Sequence, residues 1–211
     1  MRTDSLPFLS LFGSRKRRKL YYLGKEDFYQ SRNALNVSSA FNFHSRDTNQ
    51  SYSTEKHIRF YGVEFGKTQK EIRRLFGKPN FAQKKGLPLD TQITLFYKLN
   101  VKGIKCILQM HLYRDQLFFA QIQLTDSNAQ IKKVFLELFR MKYKVNELDW
   151  NNNLKDADDN RIALQDDIVP KASYFTGNKA LWQEIRSELS SKEEAENSWD
   201  IDIKKIALKW S

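Results

Sequence analysis

Hydrophobic and polar positions change period several times along the chain, and each change marks an element. A strand is predicted to open at His57, and a helix follows. Ile72, Leu75 and Phe76 fall at i, i+3 and i+4 and form one apolar face, while Lys70, Arg73 and Arg74 point elsewhere. Thr68 and Glu71 have the T-x-x-E spacing of a capping box, in which each residue satisfies an N–H that the first turn leaves unpaired. Gly77 and Pro79 mark the end, since glycine turns left-handed without penalty and proline cannot continue a helix.

Beyond Pro79 the period becomes two. Ile93, Leu95, Tyr97 and Leu99 share one face, a turn is predicted at Asn100 to Gly103, and Ile104, Cys106, Leu108, Met110 and Leu112 then stand opposite Lys105, Gln109 and His111. Arg114, Asp115 and Gln116 make a tight reversal. After it Phe118, Ala120, Ile122 and Leu124 face one way, and Gln121, Gln123 and Thr125 the other. The prediction is a three-stranded antiparallel meander with one dry face.

A longer helix follows, with Asp126 or Ser127 as its cap. Ile131, Val134, Phe135, Leu138 and Phe139 form its apolar side, and Lys132, Lys133, Glu137, Arg140 and Lys144 its solvated side, so it should lie across the dry face of the sheet. Strands are expected at Arg161 to Gln165 and Ala172 to Phe175. A third helix is expected from Lys179 to Leu189, with Leu181, Trp182, Ile185 and Leu189 on one side. Lys192 to Ser198 reads as an acidic connector, and Ile201, Ile203, Ile206, Leu208 and Trp210 as a closing strand with a bulge near Lys204 and Lys205. The fold class is therefore α+β: an antiparallel meander sheet covered by amphipathic helices, with a mixed C-terminal extension. The chain divides into a basic, aromatic-containing, partly irregular segment at 1–56, a helix-and-meander core at 57–145, and an acidic α/β extension or small subdomain at 146–211.

Gly66-x-Thr68-x-x-Glu71-Ile72-x-x-Leu75-Phe76-Gly77-x-Pro79, followed by a strand carrying Tyr97 and then a hairpin, resembles a known unit. It is the helix-plus-meander unit of the small lipoprotein of the outer-membrane β-barrel assembly machine and of β-lactamase-inhibitor proteins. The resemblance spans about residues 57–125. It implies a binding module rather than an enzyme.

Composition adds two constraints. At 211 residues, with 40% hydrophobic and 13% aromatic residues, the chain can build a packed core and is not broadly disordered. Its one cysteine, Cys106, excludes an internal disulfide and a cysteine-based metal cluster, which fits a reducing compartment without requiring one; lying in an apolar stripe, it reads as a buried structural thiol. Charge changes the picture more. Residues 1–60 carry 11 basic and 5 acidic side chains, 61–145 carry 16 and 6, and 146–211 carry 9 and 14. The basic two-thirds suit an anionic partner, and the acidic end suits docking on the basic middle of another copy, which points to a homo-oligomer.

The N-terminus gathers Leu6, Phe8, Leu9, Leu11 and Phe12 immediately before Arg15, Lys16, Arg17, Arg18 and Lys19. Charges after rather than before a short apolar run do not make a secretory signal, and no stretch is long enough to span a bilayer. Phe8, Phe12 and the five cations Arg15, Lys16, Arg17, Arg18 and Lys19 are instead a candidate interaction surface, suited to an anionic membrane. Aromatic residues scattered among cations through residues 20–56 offer a second reading, stacking on single-stranded nucleic acid through the basic segment 15–85.

Candidate chemistry is sparse. Asp156-x-Asp158-x-Asn160 has the opening spacing of a calcium loop, but Arg161 stands where the loop needs glycine and the terminal glutamate ligand is missing, so an Asx-rich turn is expected there. Gly62 to Thr68 has three residues between its glycines where a phosphate loop has four. His44, His57 and His111 are too dispersed for a zinc pair, while Glu64 and His111 form a conceivable acid and base if the fold brings them together. No catalytic, metal or cofactor residue is assigned. The expected function is a non-enzymatic protein-interaction or scaffolding module, cytoplasmic, with a peripheral membrane attachment through residues 1–19 and nucleic-acid binding as the alternative.

Overall fold

The computed structural model describes residues 50–84, 87, 89, 91–101, 103–126 and 128–192, together with 28 and 29. The chain divides into two units, Met1–Ala34 and Leu35–Ser211. Of the first, Phe28 and Tyr29 are helical and their rings meet edge to face at 5.2 Å. The second carries the rest of the described structure.

That second unit contains one eight-stranded sheet in the order β1-β6-β7-β8-β5-β4-β3-β2. Its strands are β1 (Ser51–Ser53), β2 (Phe81–Gln83), β3 (Gln92–Val101), β4 (Ile104–Tyr113), β5 (Gln116–Leu124), β6 (Asn153–Lys155), β7 (Arg161–Gln165) and β8 (Lys171–Phe175). Only β1 and β6 pair in parallel; the other six pairings are antiparallel. Strands from both sides of position 146 thus share one sheet, β8 pairing directly with β5.

Helix α1 (Gln69–Phe76) starts and stops at the expected residues. The Thr68 side chain accepts from the Glu71 N–H, Glu71 accepts from the Thr68 N–H at 2.8 Å, and Gly77, at φ +75°, donates to the Arg73 carbonyl. Its buried face is narrower than predicted. Ile72 is fully buried and Phe76 packs on Tyr97, but Leu75 is 66% exposed. The segment before α1 forms a turn rather than a strand. Phe60 and Val63 exchange both backbone hydrogen bonds across Tyr61 and Gly62, which lie at φ +50° and +84°.

One face of the sheet is apolar as expected. Leu95 and Tyr97 of β3, Cys106, Leu108, Met110 and Leu112 of β4, and Ala120, Ile122 and Leu124 of β5 join Ile162 and Leu164 of β7 in a single cluster. Helix α2 (Ala129–Tyr143) adds Phe135, Leu136, Phe139 and Tyr143 to it. The helix is rotated relative to the prediction: Leu136 and Tyr143 are buried, whereas Val134 and Leu138 are 40% and 37% exposed. Two phenylalanines and a tyrosine offer more surface to bury than the aliphatic residues they turn outward. The cap is Asn128, which accepts from Gln130 N–H and itself donates its N–H to Asp126.

The opposite face is the larger correction. A register shift between His111 and Leu112 pairs Leu112 with Leu117 and His111 with Phe119, leaving Phe118 as an extra residue. Phe118 therefore joins Phe119 on the second face, away from Ala120 and Ile122. Helix α3, residues 179–192, places Trp182 and Ile185 against these rings and Phe175. Arg114 pairs with Glu184, and the Tyr113 hydroxyl donates to Glu188 at 2.6 Å, fixing α3 over the β4–β5 hairpin. Thr94, Gln109, His111, Gln121 and Ser173, polar by pattern, are all buried. The predicted closing strand and most of the acidic connector lie outside the described residues.

Candidate functional site

Two of the concavities lined by described residues differ in their chemistry. The first is a cleft of about 460 Å³ lined by His57, Arg59, Glu64, Asp158, Asn160 and Asn178, among others. Asp156 organises its floor. One carboxylate oxygen accepts from Asp158 N–H at 3.0 Å and Asn160 N–H at 2.9 Å; the other accepts from Ile58 N–H at 2.7 Å and Asn160 Nδ2 at 3.1 Å. Four donors thus meet a buried carboxylate: those from Asp158 and Asn160 make the Asx-type turn expected from the sequence, and Ile58 N–H ties it to the segment before α1. A Cβ on Gly177 would lie 2.0 Å from the Asp158 carbonyl oxygen, so only glycine lets β8 leave the sheet so close to this loop.

His57, Asp156 and Asp158 bring ligand atoms within 4.8 Å of one another. The Asp156 oxygens already face N–H donors, however, and a cation would have to displace them. Asp158 pairs with His57 Nδ1 at 3.1 Å, Glu64 pairs with Arg59 at 2.9 Å, and Asp159 pairs with Lys155 at 2.7 Å and Lys179 at 3.2 Å. The polar groups of the cleft are engaged with one another.

The second concavity, about 260 Å³, lies between α2, the sheet and the Tyr61–Gly62 turn. Ile104 and Cys106 of β4, Ile122 of β5, Phe135, Leu138, Phe139 and Lys142 of α2, Tyr174 of β8 and Tyr61 line it. Cys106, Ile122 and Tyr174 are buried at its base, while Tyr61 and Leu138 are 38% and 37% exposed at its mouth. Tyr61 reaches that position from a turn whose two central residues both have positive φ, a geometry for which asparagine and glycine are the favoured occupants. An aromatic residue held there is strained by roughly 1–2 kcal/mol. The ring is braced edge to face by Phe60 at 5.7 Å and Phe76 at 6.5 Å.

Burial pushes the Tyr61 and Tyr174 hydroxyls and the Cys106 thiol upward, so all three are neutral near pH 7. A neutral thiol in an apolar wall is a packing group, not a nucleophile. Lys142 stands at the rim, where desolvation lowers its pKa; it donates to the Arg59 carbonyl at 3.3 Å and lies 4.9 Å over the Tyr143 ring. The cavity can hold an apolar group, with a cation beside it.

No protein-family model, curated protein or solved structure matches the chain. Phe8, Phe12, Arg15, Lys16, Arg17, Arg18 and Lys19, the interaction residues expected from sequence, lie outside the described residues, as does His44. Glu64 and His111 are not brought together as acid and base: Glu64 pairs with Arg59 in the cleft, and His111 bonds Thr94 and Gln92 within the sheet. The glycine loop before α1 is tied to β5, Gly66 donating to the Leu117 carbonyl and Leu117 to that of Lys67, and Thr68 serves as a cap. Cys106 is buried, as expected. The cavity was not visible in the sequence, because its walls come from five separate segments. Its one local sign was Tyr61 before Gly62, an aromatic residue in a turn dipeptide. Among the described residues no helix is long and apolar enough to cross a membrane.

Proposed function

We propose that this chain is a non-enzymatic protein-interaction module and that its contact surface is the outward side of α2. The observation that carries this reading is the row of Val134, Leu138 and Met141, at i, i+4 and i+7, which are 40%, 37% and 68% exposed. Neighbouring apolar positions on one helix face lose their hydration shell together when a partner covers them, and that loss supplies association energy. Leu138 belongs both to this row and to the mouth of the apolar cavity, so row and cavity form one surface. The neutral groups in the cavity wall favour binding over proton transfer. The resemblance of the α1-to-β5 order to binding modules points the same way.

The test is site-specific photocrosslinking in cells that make the full chain, with the photoreactive residue at Met141 and, as a control, at Gln116. Gln116 is exposed at the β4–β5 reversal, the far end of β4 from Ile104 at the cavity. A discrete protein adduct from position 141, lost on Leu138→Asp and absent from position 116, is the expected result. No adduct at 141, or the same adducts at both positions, overturns the reading.

A further inference from the structure

The cavity and the charges around it say more about the partner than that it is a protein. Resting on the interaction surface proposed above, we propose that the cavity seats one bulky apolar side chain presented by an acidic partner segment. Size is the first argument. At about 260 Å³ the cavity falls below the range of about 300–1,000 Å³ typical of small-molecule and cofactor sites, and suits a single large side chain. Its walls are Ile104, Ile122, Phe135 and Phe139, with the hydroxyl and thiol groups in their neutral forms.

Charge is the second argument. On α2, Glu137 is tied to Arg140 at 2.5 Å and Lys132 to Asp166 at 2.6 Å. Lys133, Lys142 and Lys144 have no acidic partner among the described residues, and they flank the row of Val134, Leu138 and Met141 on the same exposed surface. Lys144 caps α2 in the left-handed conformation at φ +57°, at the negative end of the helix dipole. Three cations with no described carboxylate beside them, Lys142 held instead by the Arg59 carbonyl and the Tyr143 ring, are interleaved with an apolar row and complement carboxylates interleaved with an apolar anchor.

A nucleic acid would satisfy the lysines but would bury the polar edges of a base against Ile104, Ile122, Phe135 and Phe139, where few partners await them. A flat anionic membrane presents no single rigid side chain. An acidic polypeptide segment meets both requirements at once.

The full chain would be titrated, with fluorescence anisotropy as the readout, against a labelled flexible peptide of Asp, Glu and Gly carrying one Trp. The same peptide with Ala for Trp, a version with Lys for the acidic residues, a single-stranded oligonucleotide and vesicles containing phosphatidylserine complete the set. Burying a large apolar side chain is worth about 1.5–3 kcal/mol, so replacing Trp should weaken binding roughly 10- to 150-fold. Lys133→Glu with Lys144→Gln should weaken the acidic Trp peptide and reduce the salt dependence of what remains. Leu138→Asp should remove the preference for Trp over Ala. These positions are exposed, so the variants should keep the parent's thermal midpoint, which is measured alongside.

Equal binding of the Trp and Ala peptides overturns the anchor, and so does tighter binding of oligonucleotide or vesicle than of the acidic Trp peptide. If position 141 still crosslinks to a protein while the peptides are not distinguished, the interaction module survives and this assignment of its partner does not. If neither signal is seen, both fail.

Discussion

The two faces of the sheet are built from the same strands, yet they are stabilised by different physics. On the α2 side, Leu95, Leu108, Met110, Leu112, Ile122 and Leu124 are buried among other apolar residues, and the area removed from water sets the stabilisation. On the α3 side, the row Phe96–Gln109–Gln121–Ser173–Ala163 crosses five strands in register, so polar side chains stand beside one another at full burial. Gln123 Nε2 donates to Gln121 Oε1 at 2.6 Å, and Gln121 Nε2 donates to Ser173 Oγ at 2.9 Å. Alternation along a strand therefore separates two faces without saying that the polar one is wet. Whether a glutamine in such a pattern meets water depends on what distant parts of the chain lay over it; on this same face the bulge at Phe118 and the docking of α3 build a second apolar cluster beside the polar row.

The largest expected effect comes from breaking the apolar face. Leu108, fully buried at the centre of β4, should cost about 2–5 kcal/mol when replaced by Ala, because transfer energy is lost and a cavity is left. Urea unfolding with an unchanged m-value would measure it. A loss under about 1 kcal/mol would mean that the face collapses around the gap, and that its packing is less exacting than the cluster suggests.

The second effect sharpens the contrast from the polar side. Burial holds His111 neutral down to about pH 3, with Nδ1 3.2 Å from Thr94 Oγ1 and 3.3 Å from Gln92 Nε2. Unfolded, an imidazole takes up its proton near pH ~6.5. Between those values the unfolded chain binds the extra proton, so stability is full above about pH 6.5 and falls as pH drops toward 3, by up to ~1.4 kcal/mol per unit. The clean window is roughly pH 6.5 to 4.5. Below it Glu71, whose carboxyl the Thr68 N–H and then Lys67 hold down to about 2, begins to lose its own native advantage. Stability should fall by roughly 2–3 kcal/mol across the clean window, and His111→Gln should flatten that slope. An equal slope in the variant would place the proton uptake elsewhere and leave His111 a bystander.

The elements legible in the sequence were those whose signals are local. Thr68, Glu71 and Gly77 stated both ends of α1, and Ile104 to Leu112 stated the apolar side of β4. What escaped depends on distant partners. Phe118 cannot be assigned to a face without the register of β5 on β4, and β1, β2 and β6 have three residues each, too few to display a period. The orientation of α2 escaped for a related reason: Val134 and Leu138 fit a helical stripe as well as Leu136 and Tyr143 do, and only the shape of the sheet beneath chooses between them. The Asp156 turn is legible because three of the four donors on its carboxylate come from Asp158 and Asn160 within the Asx-rich stretch, whereas the fourth, Ile58 N–H, comes from a distant segment and left no local sign.

The smallest expected effect is the one that bears on function. If α2 presents Leu138 and Met141 to a partner rather than to the core, replacing both with Ser should change folding stability by less than about 0.5 kcal/mol each, as exposed positions usually do. The same double variant should lose the crosslink from a photoreactive residue placed at Val134. The pairing of results matters because each residue could have been polar at no cost to the fold. Leu108 and Leu138 are the same residue type on the same α2 side of the sheet, one fully buried and one 37% exposed. A double variant several kcal/mol less stable would put Leu138 and Met141 with Leu108, as part of the packing, and the outward side of α2 would no longer stand as a surface for binding.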